Sequence, residues 1–380
     1  MSETLVLENA MIVTPDEVLH GWIALANGRI AEIGTGRPPA RGTDMAGDYL
    51  LPGLVELHTD HLESHLAPRP KVRWHHLSAV LAYDAQIAAS GITTVFDSLR
   101  VGSDVDSRSL AGEIGAIAGA VETARTEGLL RVDHRMHLRC EICASDVIEE
   151  TTHILGQFRI DLISLMDHTP GARQFRDTST WKIYYGGKSG MTDAHLEIMI
   201  QDRVVLHHAN HDRHRASLVA LAKSHGIVLA SHDDTTLAHV AESAADGIRL
   251  AEFPTTVEAA AASHAQGIQV MMGAPNVVRG GSHSGNVSAE TLAREGVLDI
   301  LSSDYVPASL LMGAFELAHR IEGFTLPRAV KTVSLNPALA TGLTDRGALE
   351  AGLKADIVRV HMAGSLPVVR EIWRDAQRVI

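Results

Sequence analysis

The amino-acid sequence predicts an α/β protein: a (β/α)8 TIM barrel joined to a small β unit supplied by both ends of the chain. Three observations carry this expectation. Eight short apolar runs recur through the middle of the chain, with helix-like stretches between several of them, which is the pattern of βα units around a parallel sheet. Both ends hold β-like segments with few helical signals. Several apolar runs stop at His, Asp or Glu, polar residues suited to the carboxyl-terminal rim where the active sites of such barrels lie.

Taken in order, residues 5–13 and 21–33 read as short strands, the second broken by Asn27-Gly28, a strong hairpin-turn signal. The eight central runs are 54–58, 92–96, 135–140, 162–166, 227–230, 248–253, 268–272 and 298–301. Helix-like stretches such as 236–245 and 257–264 separate them. Eight units in roughly 250 to 300 residues suit a closed barrel better than an open sheet. The stretch 169–226 is too long for one crossover helix and is expected to carry an insertion over the active face. After the glycine-punctuated run 342–352, residues 355–361 and 368–373 are again β-like, so the two ends can complete one sheet. The expected division is 1–50 with 345–380 for the end unit and 51–344 for the barrel.

Composition sets the class. At about 150 residues per domain, 380 residues suggest two or three domains or one large domain with an attachment. Apolar residues at 45% and charged residues at 21% are ordinary globular usage. A net charge of -13 argues against nucleic acid as a partner. The two cysteines, Cys140 and Cys143, suggest a reducing compartment. No basic leader precedes an apolar run, and no apolar stretch approaches the roughly 18 residues of a membrane helix. A cytoplasmic protein without membrane contact is expected. The most informative count is 22 His, because imidazole is the commonest metal ligand.

Six candidate ligands stand at strand ends. His58 and Asp60, at i and i+2, share one side of the first strand; Glu141, His168, His232 and Asp304 end the third, fourth, fifth and eighth. Three imidazoles and three carboxylates on one rim suit borderline divalent metals and suffice for two ions. His-x-Asp alone is weak, and Glu141 could instead pair with Arg139. The coincidence of five strand ends favours a metal site.

These residues carry a resemblance. The approach Leu51-Pro52-Gly53 to His58, the strand ends His168 and His232, Asp304 and the run from Arg346 to Val358 resemble the amidohydrolase superfamily. PGLVELHTDHLESHLAPRP, HLRCEI, SLMDHTPG, ASHDD, AEFPTT, MGAPNVVRGGSHSGNVSA and ILSSDYVPASLL are similar, more closely, to the PhnM-type diphosphatases of phosphonate metabolism. The resemblance implies a metal-bearing barrel with a β-sandwich built from both termini. It also implies hydrolysis of α-D-ribose 1-methylphosphonate 5-triphosphate to the 5-phosphate and pyrophosphate in the carbon-phosphorus lyase pathway. The first motif is His-x-Asp where many amidohydrolases have His-x-His, and His61 stands where the PhnM run has Asn. With no strand-four lysine to form a carbamate bridge, Glu141 is the candidate bridging carboxylate.

A second constellation follows the seventh strand: Asn276, Arg279, Gly280, Gly281, Ser282, His283, Ser284, Gly285 and Asn286. Glycine amides can approach an anion closely and Arg279 offers a two-pronged contact, so phosphate binding is expected of Arg279, Gly280, Gly281, Ser282 and His283. Lys188 can reach substrate from the insertion, although a nucleotide-triphosphatase loop is rejected because Lys182 replaces its first glycine. Arg69, with Lys71 and Arg73, is a second candidate anion clamp after the first strand. His207, His208, His211 and His214 could gather on one helical face, yet their polar neighbours suggest a solvated helix more than a metal site. CxxC spacing without a second pair argues against a zinc ribbon.

The expectation is therefore a metal-dependent phosphoanhydride hydrolase with two divalent ions, zinc by preference, and Asp304 as proton acceptor. An anionic ribosyl triphosphate is the expected partner, and a homo-oligomer the expected state. A sibling enzyme for a cyclic amide or N-acetyl substrate, and a noncatalytic assembly protein, are the alternatives.

Overall fold

The computed structural model describes residues 4–69, 71–102, 112–173, 181–182, 192–282 and 285–380. The amino end supplies β1 (Leu5–Val13), β2 (Val18–Ala26), β3 (Arg29–Thr35), β4 (Thr43–Asp44) and β5 (Tyr49–Pro52). The barrel strands follow: β6 (Leu54–Thr59), β7 (Ile92–Val101), β8 (Asp133–Glu141), β9 (Leu162–Met166), β10 (Val228–His232), β11 (Leu250–Glu252), β12 (Gln269–Gly273) and β13 (Ile300–Ser302). The carboxyl end adds β14 (Ile357–Ala363), β15 (Leu366–Arg374) and β16 (Gln377–Arg378).

All eight apolar runs are strands, paired in parallel in chain order from β6 to β13. A parallel bridge between Thr59 and Asp304 brings the last to the first. The strands are buried on both faces, which is why they read as continuous apolar runs. Val55, Leu57, Phe96, Leu162, Ala230, Leu250, Met271 and Ile300 fill the interior. Leu138, Ile163, Leu229, Val270 and Leu301 join the core that includes the helices. Two residues further along, the same inward faces carry Ser98, Ser164, His232 and Glu252, because side-chain direction in a strand repeats every second residue. The interior thus changes from apolar to polar toward the strands' carboxyl ends.

The two ends of the chain form one eight-stranded mixed sheet, in the order β16-β15-β14-β5-β1-β2-β3 with β4 beside β1. The β2–β3 hairpin turns at Asn27 and Gly28, with φ of 53° and 76°, the left-handed pair that a two-residue turn needs. Leu7, Ile12, Ile23, Leu25, Leu50, Ile357 and Trp373 form the sheet's own core. Val13, Leu51, Val358, Val360 and Ile372 belong to the main core shared with the barrel.

More than half of the stretch 169–226 is a single helix, Asp193–His225, of 33 residues and about 50 Å at 1.5 Å per residue. Thr192 caps its start by accepting from the His195 amide, and Gly226 ends it in the left-handed conformation. Its amino-terminal half reaches beyond the strands, where Trp181 packs on Leu196 and Ile200 and lies beneath the Arg203 guanidinium. Among the described residues no helix is long and apolar enough to cross a membrane.

Candidate active site

The barrel's carboxyl-terminal mouth holds a cavity of about 420 Å3 whose walls include His58, Asp60, Arg139, His168, His232, Asp233 and Asp304. The fold therefore brings together five of the six strand-end candidates. Glu141 lies directly behind them: its carboxylate accepts from the His168 amide at 3.1 Å and from His168 Nδ1 at 2.7 Å. Arg100 approaches the same carboxylate at 3.6 Å. Burial opposes its charge, but His168 and Arg100 outweigh it and hold Glu141 at about 2.

One residue not singled out from the sequence organises the imidazoles. Glu252, at the end of β11, is fully buried and sits between His58 Nδ1 at 3.1 Å and His232 Nδ1 at 3.0 Å. Ser164 donates to it at 2.8 Å. The His232 contact is a hydrogen bond, while His58 Nδ1 and Glu252 Oε1 are close without forming one; outer carboxylates of this kind orient metal-binding histidines. Burial works against its charge, yet His58, His137 and His232 keep Glu252 well below the usual carboxylate range. The signal was available: Leu250-Ala251-Glu252 is another apolar run ending in a carboxylate.

Among the described residues no donor hydrogen-bonds the Asp304 carboxylate. Burial and the neighbouring Asp60 push its carboxyl up to about 7. Its backbone has φ 53°, uncommon for a residue with a side chain and concentrated at functional sites. Its amide donates to the His58 carbonyl at 3.1 Å, and its carbonyl accepts from Thr59 Oγ1 at 2.8 Å. Asp60 is paired with Arg139 at 3.3 Å, so Arg139 is engaged by Asp60 and not by Glu141. Burial lowers His58, whereas Asp233 and Glu252 outweigh burial and raise His232.

The donors suit a metal. Ligand atoms of His168, His232 and Asp233 lie within 4.8 Å of one another, and Asp233 Oδ2 is buried without a hydrogen-bond partner. Imidazole nitrogens with carboxylate oxygens are ligands for zinc and similar divalent ions.

The opposite wall is the loop after β12. Asn276, Arg279, Gly281, Ser282 and Asn286 line the cavity, with Tyr305 nearby. The short helix Ala274–Arg279 ends at Gly280 in the left-handed conformation, turning Arg279, Gly281 and Ser282 toward the metal-capable rim. Asn276 Oδ1 accepts from the Ala289 amide at 3.0 Å and pins the loop. His283 and Lys188 lie outside the described residues. Arg69 is exposed and is not part of the cavity lining; Arg73 pairs with Glu113 at 2.8 Å. His61 bonds the Tyr305 carbonyl at 3.1 Å beside the cavity.

Residues 49–379 match the amidohydrolase family. The chain belongs to that family. Among family relatives, the α-D-ribose 1-methylphosphonate 5-triphosphate diphosphatase of Escherichia coli strain K12 is 44% identical over 99% of this chain and 100% of its own. Two solved structures share the fold at low identity. N-isopropylammelide isopropylaminohydrolase from Burkholderia multivorans has a TM-score of 0.66 at 19% identity, covering 100% of this chain and 98% of that one. N-acetyl-D-glucosamine-6-phosphate deacetylase from Mycobacterium smegmatis has a TM-score of 0.65 at 15% identity, with both chains covered fully.

Proposed function

We propose that the protein is a metal-dependent phosphoanhydride hydrolase. It converts α-D-ribose 1-methylphosphonate 5-triphosphate and water to the 5-phosphate and pyrophosphate in phosphonate catabolism. The observation that carries this is the 44% identity to the Escherichia coli diphosphatase across the whole of both chains. The cavity supports it, because metal-capable residues face an arginine-bearing, glycine-rich wall.

We assign two divalent ions, zinc by preference, to His58, Asp60, Glu141, His168, His232 and Asp304, with Asp233 within reach. A divalent ion so held polarises phosphoryl oxygens and lowers the pKa of water from 15.7 to about 7. Asp304, on the cavity wall, is placed to take a proton from attacking water. Arg139 limits the repulsion between Asp60 and an anionic substrate. Arg279, with the amides of Gly281 and Ser282, holds the phosphoryl oxygens at the opposite wall and favours charge on departing pyrophosphate. In a protein of net charge -13, such local cations are required to admit a triphosphate. The reaction belongs in the cytoplasm, since so highly charged a sugar phosphate does not cross a membrane unaided.

The test is pyrophosphate release by the zinc-loaded enzyme from a ribosyl 5-triphosphate, from a plain nucleoside triphosphate and, for comparison, acetate release from an N-acetyl amino-sugar phosphate. Preferred turnover of the ribosyl triphosphate supports the assignment. Release of acetate without pyrophosphate overturns it.

A further inference from the structure

A second constellation of metal-ligating side chains lies outside the lining of the active-site cavity. Cys143 follows β8, Asp167 follows β9, and His207 and His211 come from the helix Asp193–His225. Asp167 is the hub. Its Oδ1 is 3.3 Å from Cys143 Sγ, and its Oδ2 is 2.8 Å from His207 Nδ1 and 3.8 Å from His211 Nε2. Cys143 Sγ is 3.7 Å from His207 Nδ1, and the rings of His207 and His211 are 4.7 Å apart.

These separations have a chemical meaning. Zinc binds oxygen and nitrogen at about 2.0 to 2.2 Å and sulfur at about 2.3 Å in a tetrahedron. Tetrahedral ligand atoms stand about 1.6 bond lengths apart, which is about 3.3 Å between nitrogen and oxygen and about 3.5 to 3.6 Å where one atom is sulfur. Cys143 Sγ, at 3.3 Å from Asp167 Oδ1 in a hydrogen bond and 3.7 Å from His207 Nδ1, is near that spacing, whereas His211 Nε2 at 3.8 Å from Asp167 Oδ2 would have to move in by about half an ångström. The shorter 2.8 Å contact is a hydrogen bond between His207 and Asp167, which an ion would replace.

We propose that Cys143, Asp167, His207 and His211 form a second metal site for a zinc-class divalent ion, separate from the catalytic cavity. Thiolate with imidazole and carboxylate is a donor set for zinc and unsuited to magnesium or calcium. Ligand atoms of Cys143, Asp167 and His207 already lie within 4.8 Å of one another, with His211 beside Asp167. His207, His211 and His214 recur at i, i+4 and i+7, so they share one helical face, and that face is docked independently of any ion. His214 Nδ1 bonds the Ile142 carbonyl at 2.9 Å, and Asn210 donates to the Cys143 carbonyl at 3.0 Å. Asp167, His207 and His211 open onto a cleft of about 540 Å3, which gives an ion a way in. The charges facing it are compensated: Arg173 pairs with Asp234 and Glu242, and Asp212 with His211. On coordination the Cys143 thiol gives its proton to solvent and binds as thiolate. Cys140 is no part of this site; it is buried against Thr151. An ion here clips the ends of β8 and β9, which bear Glu141 and His168, to the long helix.

The test uses full-length protein stripped of metal and titrated with cobalt(II). The catalytic assignment contains no sulfur, so a sulfur-to-cobalt charge-transfer band in the near ultraviolet reports this site alone, whatever the enzyme hydrolyses. The band should appear in wild type, vanish in Cys143→Ser, and vanish in His207→Gln, which keeps both cysteines. Zinc content should fall by one ion per chain in each variant. Cobalt binding to wild type without the band, or a band that persists in folded Cys143→Ser or His207→Gln, overturns the proposal.

Discussion

At Asp304 burial and the neighbouring Asp60 push the carboxyl upward, on a backbone at φ 53°. Asp304→Asn keeps the shape and removes the proposed proton acceptor. Its kcat for pyrophosphate release should fall about 100- to 10,000-fold, the usual worth of a general base; near-normal turnover at full metal loading assigns the proton elsewhere. Glu252 acts through the rings it orients. Glu252→Gln should weaken catalytic zinc about 10- to 100-fold, read by competition with a chelating dye, while the cysteine site, which Glu252 does not touch, keeps its ion. Arg279→Ala should cost about 1.5 to 3 kcal/mol, the worth of a hydrogen bond to a charged group, or roughly 10- to 100-fold in kcat/KM for the triphosphate. Arg279→Lys should recover part of this, because a point charge cannot make the two-pronged contact. Equal kinetics in all three proteins would reduce the loop to a turn. His58, Asp60, His168, His232 and Asp304 were legible because each stops an apolar run. Glu252 obeys the same rule on a strand only three residues long, and was passed over beside residues with stronger motifs.

Among the secondary-structure elements, β7, β8 and the helix His76–Ala89 are joined by one buried histidine. His134 on β8 lies 2.8 Å from Asp97 on β7 and 3.3 Å from Asp84 on the helix. Burial alone would keep the ring neutral, but the two carboxylates prevail and raise it to about 10, against about 6.5 in an unfolded chain. A raised folded-state value means that the contribution is complete below about pH 6.5 and is lost as pH climbs toward 10. His134→Asn, which leaves two buried carboxylates without their cation, should cost about 3 to 5 kcal/mol at pH 6. Urea denaturation at several pH values should show that gap narrowing by pH 10; a gap independent of pH removes the ion pair from the account. Local pattern revealed the strands better than the long helix. A two-residue period and a run-ending polar residue are short-range signals, whereas Asp193–His225 is polar over much of its surface. Its histidines looked solvated because the carboxylate beside His207 and His211 is Asp167, just after β9 and 40 residues before His207.

For the molecule as a whole, the inventory of ions is the sharpest prediction. Zinc-saturated wild type should hold close to three ions per chain, two at the barrel mouth and one at Cys143, and Cys143→Ser close to two. Elemental analysis after dialysis decides it; one ion or fewer, with activity intact, rejects the two-metal mechanism. The barrel and the end unit were legible from the alternation of runs and from β-like ends. What could not be read is which distant residues meet, since no local pattern links positions as far apart in sequence as Thr59 and Asp304. The bridge between Thr59 and Asp304, the loop closed by Asn276 and Ala289, and the Glu252 cluster all depend on such meetings.

The seam between β6 and Asp304 also sets when the enzyme comes into being. β6 is made early, yet Thr59 waits for Asp304, 245 residues later. Its neighbour β5 waits for β14, where Tyr49 pairs with Val360 and Pro52 with Ile357. Contacts this distant in sequence close late, because loop entropy is lost before they form. On a ribosome the nascent chain therefore carries open strand edges through most of synthesis, the condition in which partly folded barrels aggregate or engage chaperones. Under the proposed assignment the proton-accepting carboxylate arrives with the same stretch of chain that shuts the barrel, so competence should switch on in one step once that stretch has folded.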